Sequence, residues 1–301
     1  MNQKEQDYWK TAAISFKWLS KTRTKRIRHD AVTTMSSGGF QPFGVSAFGD
    51  MVLMADYFAP AVCMNRMTFA DNILKFEVTW IHGAWNGVIR CRGGFPDTAY
   101  PIGANRCGTA FFSPNGKGIC IGRLEREWFL LSPREDGQWK VTARILLPIC
   151  SEYPLVHSVS LEGERLMTVE SDAACKKWRI ASYSWNGGDD WVIKTPTLKE
   201  EGAESSQRFQ YGITQLRGKT VLVTGSHAVR GESAVQRGIY IGGKLIVPDV
   251  VASGSCVLGD GLFLTQYGQE EEPPDTEDET GAGAHKGIAG MFTYVPSALL
   301  G

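Results

Sequence analysis

Trp80, His82, Trp85 and Asn86 are the residues of this sequence best equipped to hold a ligand. Indole rings stack on sugar faces or anchor in a partner's pocket, and the imidazole and amide add hydrogen bonds. The competing reading of the same rings is packing between sheets. Asp50, Asp56, Glu170, Asp172 and Asp260 fall near the ends of apolar runs, where two carboxylates roughly 5 to 10 Å apart could cleave a glycosidic bond. Sequence spacing does not say whether any two face each other. Gly49-Asp50 and Gly259-Asp260 recur in one context, which argues for a turn role. His29, His82, His157, His227 and His285 stand apart from one another and from Asp or Cys at ligand spacing, so no metal site is expected. The 7 cysteines are scattered with no Cys-x-x-Cys pair and read as small buried residues. Nucleotide cradles and hydrolase elbows have no matching motif, and no cofactor is expected.

The 301 residues carry 32 basic and 32 acidic side chains, a formal net charge of zero. That balance gives no global attraction to nucleic acid or to an anionic membrane, so neither is expected as a partner. A local basic run, Lys17, Lys21, Arg23, Lys25, Arg26 and Arg28, reads as a solvated loop or as a partner-docking arm built on Arg23, Lys25, Arg26 and Arg28. No run approaches the ~20 apolar residues that cross a bilayer. The first residues do not lead into a signal-peptide core, so synthesis and retention in a reducing cytoplasm is the expectation.

The elements that must position these residues are short strands. Residues 107–145 read as four strands, Thr109 to Phe112, Gly118 to Arg123, Trp128 to Ser132 and Trp139 to Ile145, with Asn115-Gly116 as the sharpest turn. The same grammar starts near residues 45, 108, 156, 212 and 255. Each copy has a small or apolar first strand, a glycine-containing turn and a second strand of consecutive aliphatic residues, as a sheet buried on both faces needs. Four-stranded sheets repeated radially make an all-β propeller of five blades, or of six if residues 83–107 are a degenerate sheet and not a long loop. The last copy is one strand short. An N-terminal strand, placed at Ile14 to Leu19, is therefore expected to close the last blade. Ser36-Ser37-Gly38-Gly39 reads as a linker, which divides the chain into an arm over 1–40 and a propeller over 41–301. Within the propeller, the acidic segment 268–287 has too little to bury and is expected to be disordered.

Ser184-Trp185-Asn186-Gly187-Gly188-Asp189-Asp190-Trp191 has the spacing Ser-x-Asn-x-Gly-x-x-Trp and resembles the Asp-box turn of sialidase-like propellers, with Asn186 where that family has Asp. Ser132 to Trp139 is a looser version. In this resemblance Ser184, Asn186, Gly188, Trp191, Ser132 and Trp139 are structural turn residues, away from any catalytic face. The sialidase resemblance further implies three arginines gripping a carboxylate, for which Arg66, Arg123, Arg179 and Arg237 are available, but the Arg-Ile-Pro segment of that family is absent.

With no reacting group to name, the expected function is a non-catalytic propeller: a structural or docking subunit of a larger assembly, such as a phage tail or virion component, with protein neighbours as partners in an oligomer. The alternative is a carbohydrate-binding or glycoside-hydrolysing propeller, with a glycan as partner.

Overall fold

Hairpin chemistry builds the inner half of each blade. In the computed structural model Phe48 pairs with Met51, Leu216 with Lys219 and Leu258 with Gly261, leaving two-residue loops Gly49-Asp50, Arg217-Gly218 and Gly259-Asp260. Gly49 (φ 59°), Gly218 (φ 76°) and Gly259 (φ 60°) take the left-handed conformation such tight loops demand. The structure describes residues 23–38, 42–56, 61–70, 73–85, 88–92, 98–99, 109–113, 115–122, 127–133, 139–147, 150–162, 165–174, 177–184, 211–225, 236–271 and 288–301.

These residues form 22 strands and one 3-10 turn, Ser297–Leu299. Ahead of the first blade come β1 (Arg23–Arg26) and β2 (Thr33–Gly38). The first blade is β3 (Pro42–Phe48), β4 (Met51–Asp56), β5 (Ala61–Ala70) and β6 (Ile73–Trp85), extended at its outer edge by β7 (Val88–Arg92) and β8 (Thr98–Ala99). The second is β9 (Thr109–Phe112), β10 (Ile119–Gly122), β11 (Glu127–Pro133) and β12 (Trp139–Leu146). The third contains β13 (Leu155–Glu162), β14 (Arg165–Ser171) and β15 (Trp178–Ser184). The fourth is β16 (Tyr211–Leu216), β17 (Lys219–Thr224), β18 (Gly238–Ile241) and β19 (Lys244–Pro248). The fifth is β20 (Gly254–Leu258), β21 (Gly261–Glu271), β22 (Ile288–Val295) and, from the other end of the chain, β2.

All pairings are antiparallel, and the five sheets form a ring: a five-bladed β-propeller. The first strands β3, β9, β13, β16 and β20 stand side by side around the axis. Residues 83–107 hold no sixth sheet among the described residues; β7 and β8 simply widen the first blade.

Apolar interfaces between neighbouring blades hold the ring. Val45, Val52, Met54 and Phe76 of the first blade pack against Cys256, Phe263 and Phe292 of the fifth. Phe292 lies between Phe76 (5.4 Å) and Phe263 (5.6 Å). Phe111 and Trp128 of the second blade meet Leu166 and Tyr183 of the third. Met167 and Trp178 join the third blade to Ile213 of the fourth, and Val221 and Val223 join the fourth to Leu262 and Leu264 of the fifth. Each fully buried side chain of this kind contributes about 1.5–3 kcal/mol by leaving water. The buried Cys120 and Cys256 thiols fit the small-residue reading, and burial pushes both well above the ordinary thiol range.

Three expectations need correction. The strand that closes the last blade is Thr33–Gly38, paired from Thr33↔Tyr294 to Gly38↔Gly290; the proposed Ile14 to Leu19 lies outside the described residues. Ser36 to Gly38, read as a linker, belongs to that strand, because backbone pairing with β22 and the packing of Met35 outweigh the low strand propensity of Ser and Gly. The acidic segment starts later than composition suggests. Gly268 to Glu271 continue β21, with Glu270 opposite Ala289 and Glu271 opposite Ile288, and 272–287 lie outside the described residues.

Closure by β2 makes Met35, packed on the interface between the fifth and first blades, a sensitive position. Met35→Asp is expected to destabilise the chain by about 1–3 kcal/mol, through an unpaired charge placed against apolar surface. Denaturant unfolding of the two proteins checks it.

Candidate functional site: the axial pocket

Each first strand pairs with its blade on one side only, so its other edge, with alternating N–H and C=O groups, faces the axis. The space between these edges has two parts. Near the starts of the strands it narrows to about 10 Å³ between Phe43, Gly44, His157, Ser253 and Gly254. Towards their ends it widens to a pocket of about 610 Å³ that opens on the face carrying the inner hairpin turns.

The constriction follows from sequence. A Cβ on Gly254 would lie 2.5 Å from the carbonyl oxygen of Phe43, and one on Gly212 would lie 2.9 Å from Ser255 Oγ. Only glycine allows these strands to approach so closely. The Thr265 hydroxyl donates to Phe43 O (3.2 Å) and the Ser253 hydroxyl to Pro42 O (3.2 Å), tying the fifth blade to the first beside it.

The wide part is mixed, about as apolar as polar, and nearly free of charge, with Val45, Leu161, Leu216 and Val257 among its lining residues. Ser46, Ser160, Thr214 and Ser255 line its wall, Phe48 and Phe112 its side, and Arg217 and Asp260 its mouth. Ser46 Oγ accepts from the Phe112 N–H at 3.2 Å. Ser255 is 4% exposed and its Oγ has no hydrogen-bond partner. Asp260 is engaged within its blade, accepting from Ser297 (2.9 Å) and Tyr294 (3.0 Å), and these hydroxyls, Ser297 first, hold its carboxyl below the ordinary range.

A second polar cluster lies inside the third blade. Glu170 is fully buried and its carboxylate accepts from Arg179 Nε (2.9 Å) and Nη2 (2.7 Å), the Thr168 hydroxyl (2.9 Å) and the Tyr183 hydroxyl. The Arg179 guanidinium sits over the Tyr153 ring at 4.4 Å. A buried charge this fully satisfied is a structural ion pair, with no lone pair left for a substrate. Nearby, His157 bonds Ser171 Oγ at 2.7 Å and stacks on Trp178 at 4.4 Å. Burial lowers its pKa to about 4, so it is neutral at pH 7.

The sequence-predicted residues are not gathered at this pocket. Trp80, His82 and Trp85 belong to the fourth strand of the first blade and not to a loop: Trp80 pairs with Met64, His82 with Val62 and Cys91, and Trp85 with Val88. Three strand spacings, about 14 Å, separate that strand from β3, the strand that faces the axis. Asn86 lies outside the described residues. Arg23, Lys25 and Arg26 are not a loop either; they form β1, paired along Ile73 to Phe76 at the rim of the first blade. Charged side chains on such an edge discourage pairing with another sheet. Arg28 is exposed and pairs with Asp30 at 2.8 Å.

Of the turn residues, Ser132 lies in β11 opposite Lys140, with its hydroxyl 3.2 Å from that of Thr142. Trp139 opens β12 opposite Pro133, and Ser184 ends β15 opposite Arg165. Asn186, Gly188 and Trp191 lie outside the described residues. The arginines do not converge: Arg66 pairs with Asp50 (3.3 Å) in the first blade and Arg179 with Glu170 in the third. Arg123 is outside the described residues, and Arg237 precedes the third strand of the fourth blade. Asp172 accepts from the Lys177 N–H (3.0 Å) across the β14–β15 turn.

Sequence reasoning missed Phe48, Arg217 and the hydroxyl-bearing wall. The signal was present. Phe48 and Arg217 adjoin or occupy the two-residue turn of their copies, the position where Gly-Asp recurs, and those turns ring the pocket mouth.

No protein-family model matches the chain, and no curated protein matches it. Among solved structures it is similar to Saccharomyces cerevisiae Sqt1, with 7% identity and a TM-score of 0.30 over 56% of this chain and 36% of that one. It is also similar to the Bombyx mori GH32 β-fructofuranosidase BmSUC1, with 11% identity and a TM-score of 0.48 over 96% of this chain and 66% of that one. A mutant of that enzyme in complex with sucrose gives 13% identity and a TM-score of 0.43 over the same shares. The chain thus spans between 36% and 66% of the length of these structures. The class defined by the strand order is a five-bladed β-propeller.

A neutral His157 gives a pH prediction. Its folded pKa, about 4, lies below the ordinary 6.5, so between these values the unfolded chain binds the extra proton. Stability is therefore expected to fall as pH drops from about 6.5 towards 4, by at most roughly 3 kcal/mol. Denaturation midpoints across that window should slope less for His157→Gln than for the natural chain.

Proposed function

We propose that this chain is a non-catalytic recognition propeller, a docking subunit of a larger assembly such as a phage tail or virion, made in the cytoplasm and contacted there by protein neighbours. The observation that supports it is the employment of four acids near strand ends among the described residues. Glu170 is committed to Arg179, Asp260 to Ser297 and Tyr294, Asp172 to its own turn and Asp50 to Arg66. Acid–base chemistry on a glycoside needs a carboxylate free to exchange a proton, facing another at short range. Asp260 is the one acid lining the axial pocket among the described residues.

A stiff disc with a charged rim suits docking. Lys25 and Arg26 are exposed on β1, which borders the fourth strand of the first blade, beside exposed Lys75. Cations placed on one edge steer an acidic partner surface and fix its register.

Two measurements on the full chain test this reading. Turnover on a panel of aryl glycosides should not exceed the buffer blank, and native mass spectrometry should show the chain in an oligomer or an isolated particle. The double change K25E/R26E should weaken that association by about tenfold. Turnover abolished by Asp260→Asn would overturn the reading, as would a chain that stays monomeric and joins no particle.

A further inference from the structure

Phe48 is a large aromatic side chain left 46% exposed, and its place is fixed. A Cβ on Gly116 would fall 2.1 Å from the Phe48 ring. The ring therefore lies flush on the Asn115-Gly116 turn of the neighbouring blade, where Gly116 takes φ 68°. Its other neighbour is Phe112, with centroids 6.1 Å apart. Packed from behind and lining the axial pocket, it is a rigid apolar platform at a polar opening.

Two independent features point the same way. Arg217 occupies the first position of its two-residue turn at φ 52°, a conformation that costs a non-glycine residue energy. Glycine would fit there without strain, and Arg217 stands at the pocket mouth. Strain held at an opening of this kind is what a binding role would maintain. Inside, the wall carries Ser46, Ser160 and Thr214, while Ser255 Oγ is sealed against the Gly212 backbone.

We propose that the axial pocket binds the end of a neutral saccharide. The pocket presents what such a ligand needs: a flat ring for the C–H face of a sugar, hydroxyls for its hydroxyl groups, and at the mouth Arg217, whose guanidinium donates to Gly301 O through Nη1 (3.2 Å) and offers its other N–H groups to a ligand. About 610 Å³ accommodates one or two sugar rings. At the other end of the first strands the remaining cavity is only about 10 Å³, too small for a sugar ring. This assignment stands independently of the assembly role, because it concerns the turn face and not the rim.

Calorimetric titration of the intact chain with maltotriose, cellotriose, chitotriose and lactose tests it, with sialyllactose as the anionic comparison. At least one neutral sugar should bind with a dissociation constant below about 1 mM, and Phe48→Ala should weaken it about tenfold. Arg217→Gly should weaken it at least threefold, on the order of one lost hydrogen bond, while leaving the thermal midpoint unchanged or raised. No binding of any neutral sugar at about 10 mM, binding of the sialylated sugar alone, or binding unaltered in both variants overturns the site. Hydrolysis of a bound sugar would leave the site standing and overturn only the non-catalytic reading.

Discussion

The pairing of Thr33–Gly38 with Ile288–Val295 is the constraint on which the structure depends. It joins residues more than 250 positions apart, as in the contact between the Thr34 and Thr293 hydroxyls (3.2 Å). Without it β22 would present an open edge, and the interface between fifth and first blades would lose Met35 from its margin. Loop closure over such a separation is entropically costly. The extensive apolar interface of Val45, Phe76, Phe263, Phe292 and their neighbours offsets that cost.

Closure also sets the axis. Five first strands held at fixed radius leave their unpaired edges facing inward, and the glycines at 212 and 254 let them approach at one end. The largest apolar residues go to the blade interfaces, and the axis receives hydroxyls and the tips of hairpin turns together with a few aliphatic side chains such as Val45, Leu161 and Val257. The pocket is thus a product of the ring, and its rigidity comes from the blades behind it. Phe48, pinned on Gly116, belongs at once to the packing of two blades and to the pocket wall. The buried Glu170–Arg179 pair shows the opposite arrangement, a charge sealed inside a blade where it orders structure alone.

Much of the fold was legible, because strands buried on both faces announce themselves. Thr109 to Phe112 matches its structural bounds, Trp128 to Ser132 and Trp139 to Ile145 match theirs to within one residue at either end, and the need for an N-terminal closing strand follows from the missing strand of the last copy. Its position was not legible: Ile14 to Leu19 carries the stronger apolar pattern, whereas Thr33–Gly38 is defined by its partner. The candidate site was harder still. Trp80, His82 and Trp85 attracted attention by residue type, yet type says nothing of distance from the axis, and they sit on the fourth strand. Phe48 and Arg217 are ordinary residues made notable by a turn geometry that appears only once the ring is assembled.

The most direct measurement of ring closure is amide hydrogen exchange of the intact chain, read at Thr33–Gly38 against Ile288–Val295. Because β2 is an integral strand of the fifth blade, its paired amides should be protected to nearly the level of β22 and lose protection with it under mild denaturant. Exchange of Thr33–Gly38 at the rate of free peptide, while β22 stays protected, would contradict the closed ring.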